Sequence, residues 1–479
     1  MNELISYIPK EKRKKILLLA DDIRMHSGVA TMAKEFVVGT AHHFNWYQVG
    51  AALKHPEEGK IFDLSEDINK TIGIDDSSVF VRPRTGYGDS TLIRGLIKEQ
   101  KPDAIFIFTD PRYWVWLFEI EREIRTKIPI VWLNIWDDYP APMYNKNYYR
   151  SVDGLMAISK QTKNINKLVL GEYAKNKIIT YVPHGINEKV FFPITEDHEL
   201  YNDFVEFKKQ TLPIVDPEFV VFFNSRNIQR KSPSNTILAY KIFCEAIGEE
   251  KAKKCALIMH TAAVDNNGTD LKAVKQALYP EGNIFFSQKK INSVQMNMMY
   301  NMADLTVLLS SNEGWGLALT ESMMAGTMIA ANVTGGMQDQ MRFEKDGKWI
   351  DFDSDFPSNH RGTVKECGEW AIPIFPSNIS LVGSVPTPYI FDDRCSPEDA
   401  ASALLKAYNM GKVERNVKGL KGREWATSKE AQMTADNMCV NIVNSIEKTF
   451  KNFNPRSSFE LIKTEPIKEE KVLHKLTGY

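Results

Sequence analysis

Cysteine is scarce and scattered, with five in 479 residues: Cys244, Cys255, Cys367, Cys395 and Cys439. None forms a Cys-x-x-Cys pair, which excludes a zinc ribbon and argues against a disulfide framework. Reduced thiols are expected. Charge of one sign is also lacking. Sixty basic residues stand against sixty-one acidic ones, a formal net of −1. No global polycation is offered to nucleic acid, and only a local basic face could be. No run reaches about 18 uninterrupted apolar residues, so no membrane span is expected. The first stretch, MNELISYIPKEKRKK, has no apolar signal-peptide core. Together these absences predict a soluble, cytoplasmic chain.

What is present is ordinary globular material, 43% hydrophobic and 25% charged. The length predicts two large domains. KILLLA, WYQVGAAL, SVFVR, AIFIF, IPIVWLNI and GLMAIS read as short buried strands. VATMAKEFVVG, STLIRGLIKEQ and WVWLFEIEREIR read as helices among them. Such alternation implies crossover units and a mostly parallel sheet. FVVFFNS opens a second series, continued by ALIMHT, NIFFSQ, LTVLLSS and TMIAANV. The expected organisation is an N-terminal domain over 1–194, a polar linker over 195–217 and a C-terminal domain over 218–427. Within the latter, 343–395 reads as an irregular insert. A helix near 428–452 is expected to pack back on the first domain, and 453–479 reads as a charged tail.

Two segments suit phosphate chemistry. SSNEGWGLALTESMMAG, Ser310–Gly326, follows an apolar strand and places Gly314 and Gly316 in a turn before a helix. A helix N-terminus presents free N–H groups to an anion. Glu313 would stand at the strand's C-terminal end, where open parallel sheets bind ligands. Glu321, on the helix, can face the same ligand, so that one carboxylate holds sugar hydroxyls and the other a ribose. A capped core helix with two surface glutamates would leave the same trace. Upstream, FVVFFNSRNIQRKSP sets Arg226 and Lys231 beyond the domain's first strand, with Arg230 as an extra charge. Two cations in a strand-end loop suit a diphosphate, although a solvated basic loop has the same composition.

Taken together, these segments resemble the nucleotide-sugar glycosyltransferases of the GT-B fold, most closely glycosyltransferase family 4. The resemblance rests on YNMADLTVLLSSNEGWGLALTESMMAGTMIAANVTGG, on the Arg226–Lys231 spacing, on VPHGINEKVFFP and on the SGVATMA turn after KILLLADD. It covers roughly residues 15–340 plus a C-terminal helix. It implies two Rossmann-like α/β domains facing each other across a cleft, with 1–194 as the acceptor-side domain and 218–427 as the donor-binding one. It also implies transfer of a sugar, hexosyl or pentosyl, from a nucleotide-sugar to an acceptor hydroxyl with retention of anomeric configuration. A UDP-sugar is favoured over the GDP and ADP forms, and no metal or other cofactor is expected. By this resemblance Arg226 and Lys231 bind the diphosphate and the amides around Gly316, Leu317 and Ala318 assist them. Glu321 holds the ribose, Glu313 holds the transferred sugar, and Gly28 lets backbone approach the phosphates or the sugar.

One departure concerns a histidine that many relatives carry near the reacting carbon. Here IVWLNIWDDYP places Trp136 or Asp137 at that point. Trp136 could pack on a sugar, and Asp137 or Asp138 could take the acceptor's proton; a helix-capping Asp pair fits equally well. His184 is expected to be structural. The Asp351-Phe352-Asp353-Ser354-Asp355 run reads as a solvated loop rather than a metal site. The acceptor stays open between a saccharide or small molecule and hydroxymethylated cytosine in DNA, because the texture of the chain weakly resembles phage-encoded glycosyltransferases. For DNA, Arg82, Arg84, Arg94 and KEKRKK with Tyr87 and Tyr113 are the candidates. A non-catalytic nucleotide-sugar binder of the same fold is the alternative. A phosphorylase-like or epimerase-like enzyme is a third reading.

Overall fold

A computed structural model describes residues 2–352 and 364–457. Sixteen of the eighteen strands among these residues fall before the hairpin that closes the second lobe. In the first lobe they are β1 (Lys14–Asp21), β2 (Phe44–Ala52), β3 (Phe62–Asp63), β4 (Val79–Thr85), β5 (Ala104–Phe108), β6 (Ile130–Asn134), β7 (Gly154–Ala157) and β8 (Ile178–Tyr181). They form one sheet in the order β3-β4-β2-β1-β5-β6-β7-β8. Every neighbouring pair is parallel except β3 with β4. Helices cover both faces, which is why β1 is a continuous run of buried Ile, Leu and Ala rather than an alternating one.

The second lobe contains β9 (Phe219–Asn224), β10 (Cys255–His260), β11 (Ile284–Ser287), β12 (Leu305–Leu308), β13 (Met328–Asn332), the short hairpin β14 (Glu344–Lys345) and β15 (Lys348–Trp349), β16 (Ala371–Ile374), and the hairpin β17 (Asn378–Ser384) and β18 (Thr387–Arg394). Its main sheet runs β11-β10-β9-β12-β13-β16, all parallel. Strand order reverses between β1 and β5 in one sheet and between β9 and β12 in the other. At such reversal points the flanking loops diverge beyond the strands' C-terminal ends and leave a crevice for ligand. One contiguous core runs from the inner face of the first sheet into the second lobe.

Three expectations need correction. The 195–217 linker contains the helix Tyr201–Thr211, whose Phe204 and Phe207 pack on the core, so it is an ordered connection. The described residues of the 343–395 insert, 343–352 and 364–395, are not irregular. They supply β16 to the main sheet and two hairpins, hidden in the sequence because β16 is four residues long and includes Pro373, tolerated at a sheet edge. The expected helix WVWLFEIEREIR is broken into the turns Pro111–Trp114, Val115–Glu119 and Glu121–Ile124. Residues 353–363 and 458–479 lie outside the described residues, and with them most of the Asp-rich run and of the charged tail.

The last helix, Ala435–Asn452, starts later than expected and lies on the first lobe. Gly39 leaves room only for the Cys439 sulfur, and Ser445 Oγ donates to Thr180 Oγ1 at 2.8 Å. The chain reaches it by pairing with the first lobe's Ile186, which donates to Met433 O and accepts from Ala435 N.

Candidate functional site

The loop after β9 carries Arg226, Arg230 and Lys231. The loop after β12 carries Ser310–Gly316, so the two lie side by side at the reversal point of the second sheet. Lys231 Nζ donates to Glu313 Oε2, and both side chains are nearly buried, 12% and 11% exposed. Burial, and then the nearby Arg230 charge, pull the Lys231 ammonium well below its usual range. An ammonium in that state gains from any anion brought to it, and Glu313 supplies one. Arg230 Nη1 donates to Asn312 O at 2.7 Å and stands 3.8 Å from the Glu313 carboxylate. Arg226 is exposed, close enough for its charge to act on Lys231, and has no ion-pair partner among the described residues.

The turn itself is held from behind. Gly316 has φ +88°, the left-handed region that favours glycine, and begins the helix Leu317–Met324. Gln340 Nε2 donates to Trp315 O, the Trp315 indole donates to Thr320 Oγ1, and that hydroxyl donates to Gln340 Oε1. Gly336 N donates to Glu313 O at 3.0 Å. A Cβ at Gly335 would fall 1.9 Å from Glu313 O, and one at Gly336 2.2 Å from Gly314 O.

Glu321 lies half-buried further along the helix. It accepts the Tyr300 phenol at 2.6 Å, and Tyr300 in turn accepts Asn224 Nδ2 at 2.8 Å. Burial raises the Glu321 carboxyl. Its other oxygen has no protein partner among the described residues. Sequence reasoning missed Tyr300 and Asn224 in this role, since they come from a helix and a strand distant in sequence. The only available signal was their position beside the strand ends.

From the first lobe, Gly28 begins a helix capped by Ser27, whose hydroxyl accepts from Ala30 N. A Cβ at 28 would stand 3.5 Å from Leu317 Cδ1, an ordinary contact, so the protein itself does not demand glycine there. Asp137 lies on the loop after β6, and its carboxylate acts on Lys231 across the cleft. Asp138 beside it is buried. Burial, then the charge and hydrogen bond of Asp137, raise its pKa well above the usual carboxylate range. Neither aspartate caps a helix, which corrects the capping alternative. Trp136 turns inward, its indole donating to Asp138 O at 3.0 Å, and offers no face to a ligand. His184 sits between Phe108 and Trp315, and burial pushes it down to about 3, so it is neutral.

The positive charges suggested for DNA are largely taken. Arg84 pairs with Glu58 and Asp89, Arg94 is bidentate to Glu123, and the buried Arg13 pairs with Asp76. Among the described residues no group of three or more His, Cys, Asp or Glu is placed to hold a metal ion. No helix among them is long and apolar enough to cross a membrane. Two open grooves, of about 610 and 520 Å³, lie elsewhere. One runs along β16 and the other lies beside Glu188–Leu200, and neither is lined by the residues above.

Residues 204–356 match the family described as "Glycosyl transferases group 1". No curated protein matches. Among solved structures, the chain is similar to Anabaena HepE in complex with UDP and glucose, at 11% identity and TM-score 0.61, over 91% of this chain and 100% of that one. It is also similar to sucrose-phosphate synthase from Thermosynechococcus elongatus, at 12% and 0.62, over 92% and 100%. A third is an α,α-trehalose 6-phosphate synthase from Burkholderia multivorans, at 10% and 0.57, over 92% and 99%. The match to the glycosyl transferases group 1 is thus carried by residues 204–356, and the chain as a whole has the two-domain GT-B fold of these solved structures.

Proposed function

We propose that the protein transfers a sugar, with retention, from a UDP-sugar to a saccharide hydroxyl. The observation that carries this reading is the buried Lys231 ammonium, aimed at Glu313 in the crevice between β9 and β12. A diphosphate brings more negative charge to Lys231 than one carboxylate does, and it can draw in the exposed Arg226 as well. Glu313, released from Lys231, is then free to accept hydroxyls of the transferred sugar. The Leu317 and Ala318 amides at the helix start face the same anion, and Gly28 leaves room for it from the other lobe. Glu321, fixed by Tyr300, offers its open oxygen to ribose hydroxyls. UDP is favoured because UDP and glucose occupy the similar Anabaena protein. The cations that the diphosphate needs come from the chain, so no cofactor is required beyond the donor. The free thiols fit a reducing compartment such as the cytoplasm.

In the reaction the acceptor oxygen bonds to the anomeric carbon while the bond from that carbon to the diphosphate oxygen breaks. The acceptor's proton leaves on the same face. Asp138 is buried and its carboxyl raised, so receipt of that proton is assigned to Asp137, whose charge reaches Lys231. Charge gathers on the departing diphosphate, and preorganised cations there are the main catalytic contribution. Replacing Lys231 by Ala should lower turnover by about 10²–10³. A thermal-shift panel of UDP, GDP, ADP and their sugars identifies the donor, since a ligand bound only by the folded state raises its stability. Near-normal turnover by the Lys231→Ala protein would remove the diphosphate role.

A further inference from the structure

The first sheet has its own reversal point, between β1 and β5. Its loops, 22–28 and 109–113, face the donor helix through Gly28, yet the donor reading uses only Gly28. Just past β5, Thr109 has φ +137°, a backbone state that a β-branched side chain rarely adopts. Its carbonyl is pinned by the Trp132 indole at 3.0 Å. Strain held in this way concentrates at working sites. Here it turns the chain at Asp110–Tyr113, beyond the C-terminal end of β5 and so at the mouth of that reversal point.

Tyr87 and Tyr113 form a stacked pair there, with ring centres 4.1 Å apart and planes 22° apart. The inner ring, Tyr87, is fixed on every side. Its hydroxyl donates to Asp21 Oδ1 at 2.8 Å, the other Asp21 oxygen accepts Ser27 Oγ at 2.6 Å, and its ring meets Trp114 edge-on. The outer ring, Tyr113, is 40% exposed, and its hydroxyl has no protein partner among the described residues. Beside it, Arg112 is bidentate to Asp110, so its charge is already matched. Tyr144, whose phenol senses Asp110, Arg112 and Asp138, stands nearby. Its hydroxyl donates to Tyr389 O of the β17–β18 hairpin at 3.1 Å.

We propose that Tyr113, backed by Tyr87, is the platform of an acceptor subsite for an uncharged saccharide. This rests on the reading above and adds the residues that hold the saccharide acceptor and its lack of charge. A pyranose has one face of C–H groups that packs on a rigid aromatic ring, and hydroxyls at its rim that suit the free Tyr113 hydroxyl and the Asp110–Arg112 pair. A phosphorylated sugar would find only an arginine already doubly bonded to a carboxylate. A DNA strand would need several unmatched cations, whereas this mouth presents Asp21, Asp110 and Asp137. Tyr113 is a binding and positioning group and takes no part in the bond changes.

The experiment uses the full-length protein with the UDP-sugar that the thermal-shift panel selects. UDP release is followed with glucose, galactose, mannose, maltose and lactose, with glucose 6-phosphate, and with a short DNA duplex. UDP affinity is measured separately by calorimetry. At least one neutral sugar should raise UDP release. Tyr113→Ala should raise its KM by about tenfold or more, the equivalent of about 1.4 kcal/mol. Tyr113→Phe should stay within about threefold of the parent, and UDP affinity should be unchanged in both variants. The proposal is overturned if Tyr113→Ala leaves that KM unmoved, if no neutral sugar stimulates release, or if only the phosphorylated sugar or the duplex does. Loss of UDP binding by the parent protein would instead strike down the donor reading, and this proposal with it.

Discussion

Lys231 and Glu321 show how burial shifts the charge balance of ordinary side chains. Lys231 is held where its charge is poorly solvated, with Glu313 as its internal counter-ion, so binding an anion there is an exchange of partners. Glu321 keeps one oxygen on Tyr300 and leaves the other open. A hydrogen bond to a charged group contributes about 1.5–3 kcal/mol, so Glu321→Ala should weaken UDP binding by roughly 10- to 100-fold. Calorimetry with UDP checks this, and unchanged affinity would end the ribose assignment. Arg226, Lys231, Glu313 and Glu321 could be picked out of the sequence as candidates because their chemical types and spacings lie on two short segments. Tyr300 and Asn224 were not, because what makes them useful is a contact across 76 residues of chain.

At the scale of elements, the 313–316 turn is a backbone structure braced by another backbone. Gly335 and Gly336 lie against Glu313 and Gly314 so closely that no side chain fits between them. Gly335, at φ +53°, is strained for any other residue as well. Gly335→Ala should therefore destabilise the protein by about 2 kcal/mol or more and shift the 313–316 turn, with loss of UDP binding. Thermal unfolding and UDP titration check this together, and a variant of normal stability with normal UDP affinity would show the brace to be dispensable. The β17–β18 hairpin acts similarly between lobes. Phe391 N donates to Tyr139 O at 2.6 Å, while Phe391 O accepts from Asn312 at 3.1 Å, so one residue ties the Asp137 loop to the donor loop.

Over the whole molecule, the two lobes are joined by a buried carboxylate. Asp339 of the second lobe accepts from Lys160 N and from the Tyr181 hydroxyl of the first, each at 2.9 Å. Burial raises its pKa to about 7, against the opposing charge of Lys160 and with a smaller push upward from Asp351. Between about pH 4 and about pH 7 the unfolded chain releases this proton while the folded chain keeps it. Stability contributed by Asp339 therefore falls as pH rises through that window, and the penalty is fully present above it. Asp393, also raised to about 7 chiefly by burial, acts in the same direction. Asp339→Asn should flatten the decline, leaving the part due to Asp393. Denaturant unfolding across this pH range checks it, and an undiminished slope would refute the assignment.

The sequence by itself determined the fold class, the strand series of both lobes and the two glycine- and cation-bearing loops at their strand ends. Buried parallel strands need unbroken apolar runs, and anion loops need glycine and cations at strand ends, and both are local signals. The helix within 195–217 and the strand β16 were not legible. A polar helix and a four-residue edge strand are stable only once packed on neighbours. How deeply Asp138 is buried, which way Trp136 faces, and how Arg84 and Arg94 are neutralised were decided only by the tertiary structure. Those outcomes depend on desolvation and on partners brought together from distant parts of the chain, and no spacing along the sequence encodes them.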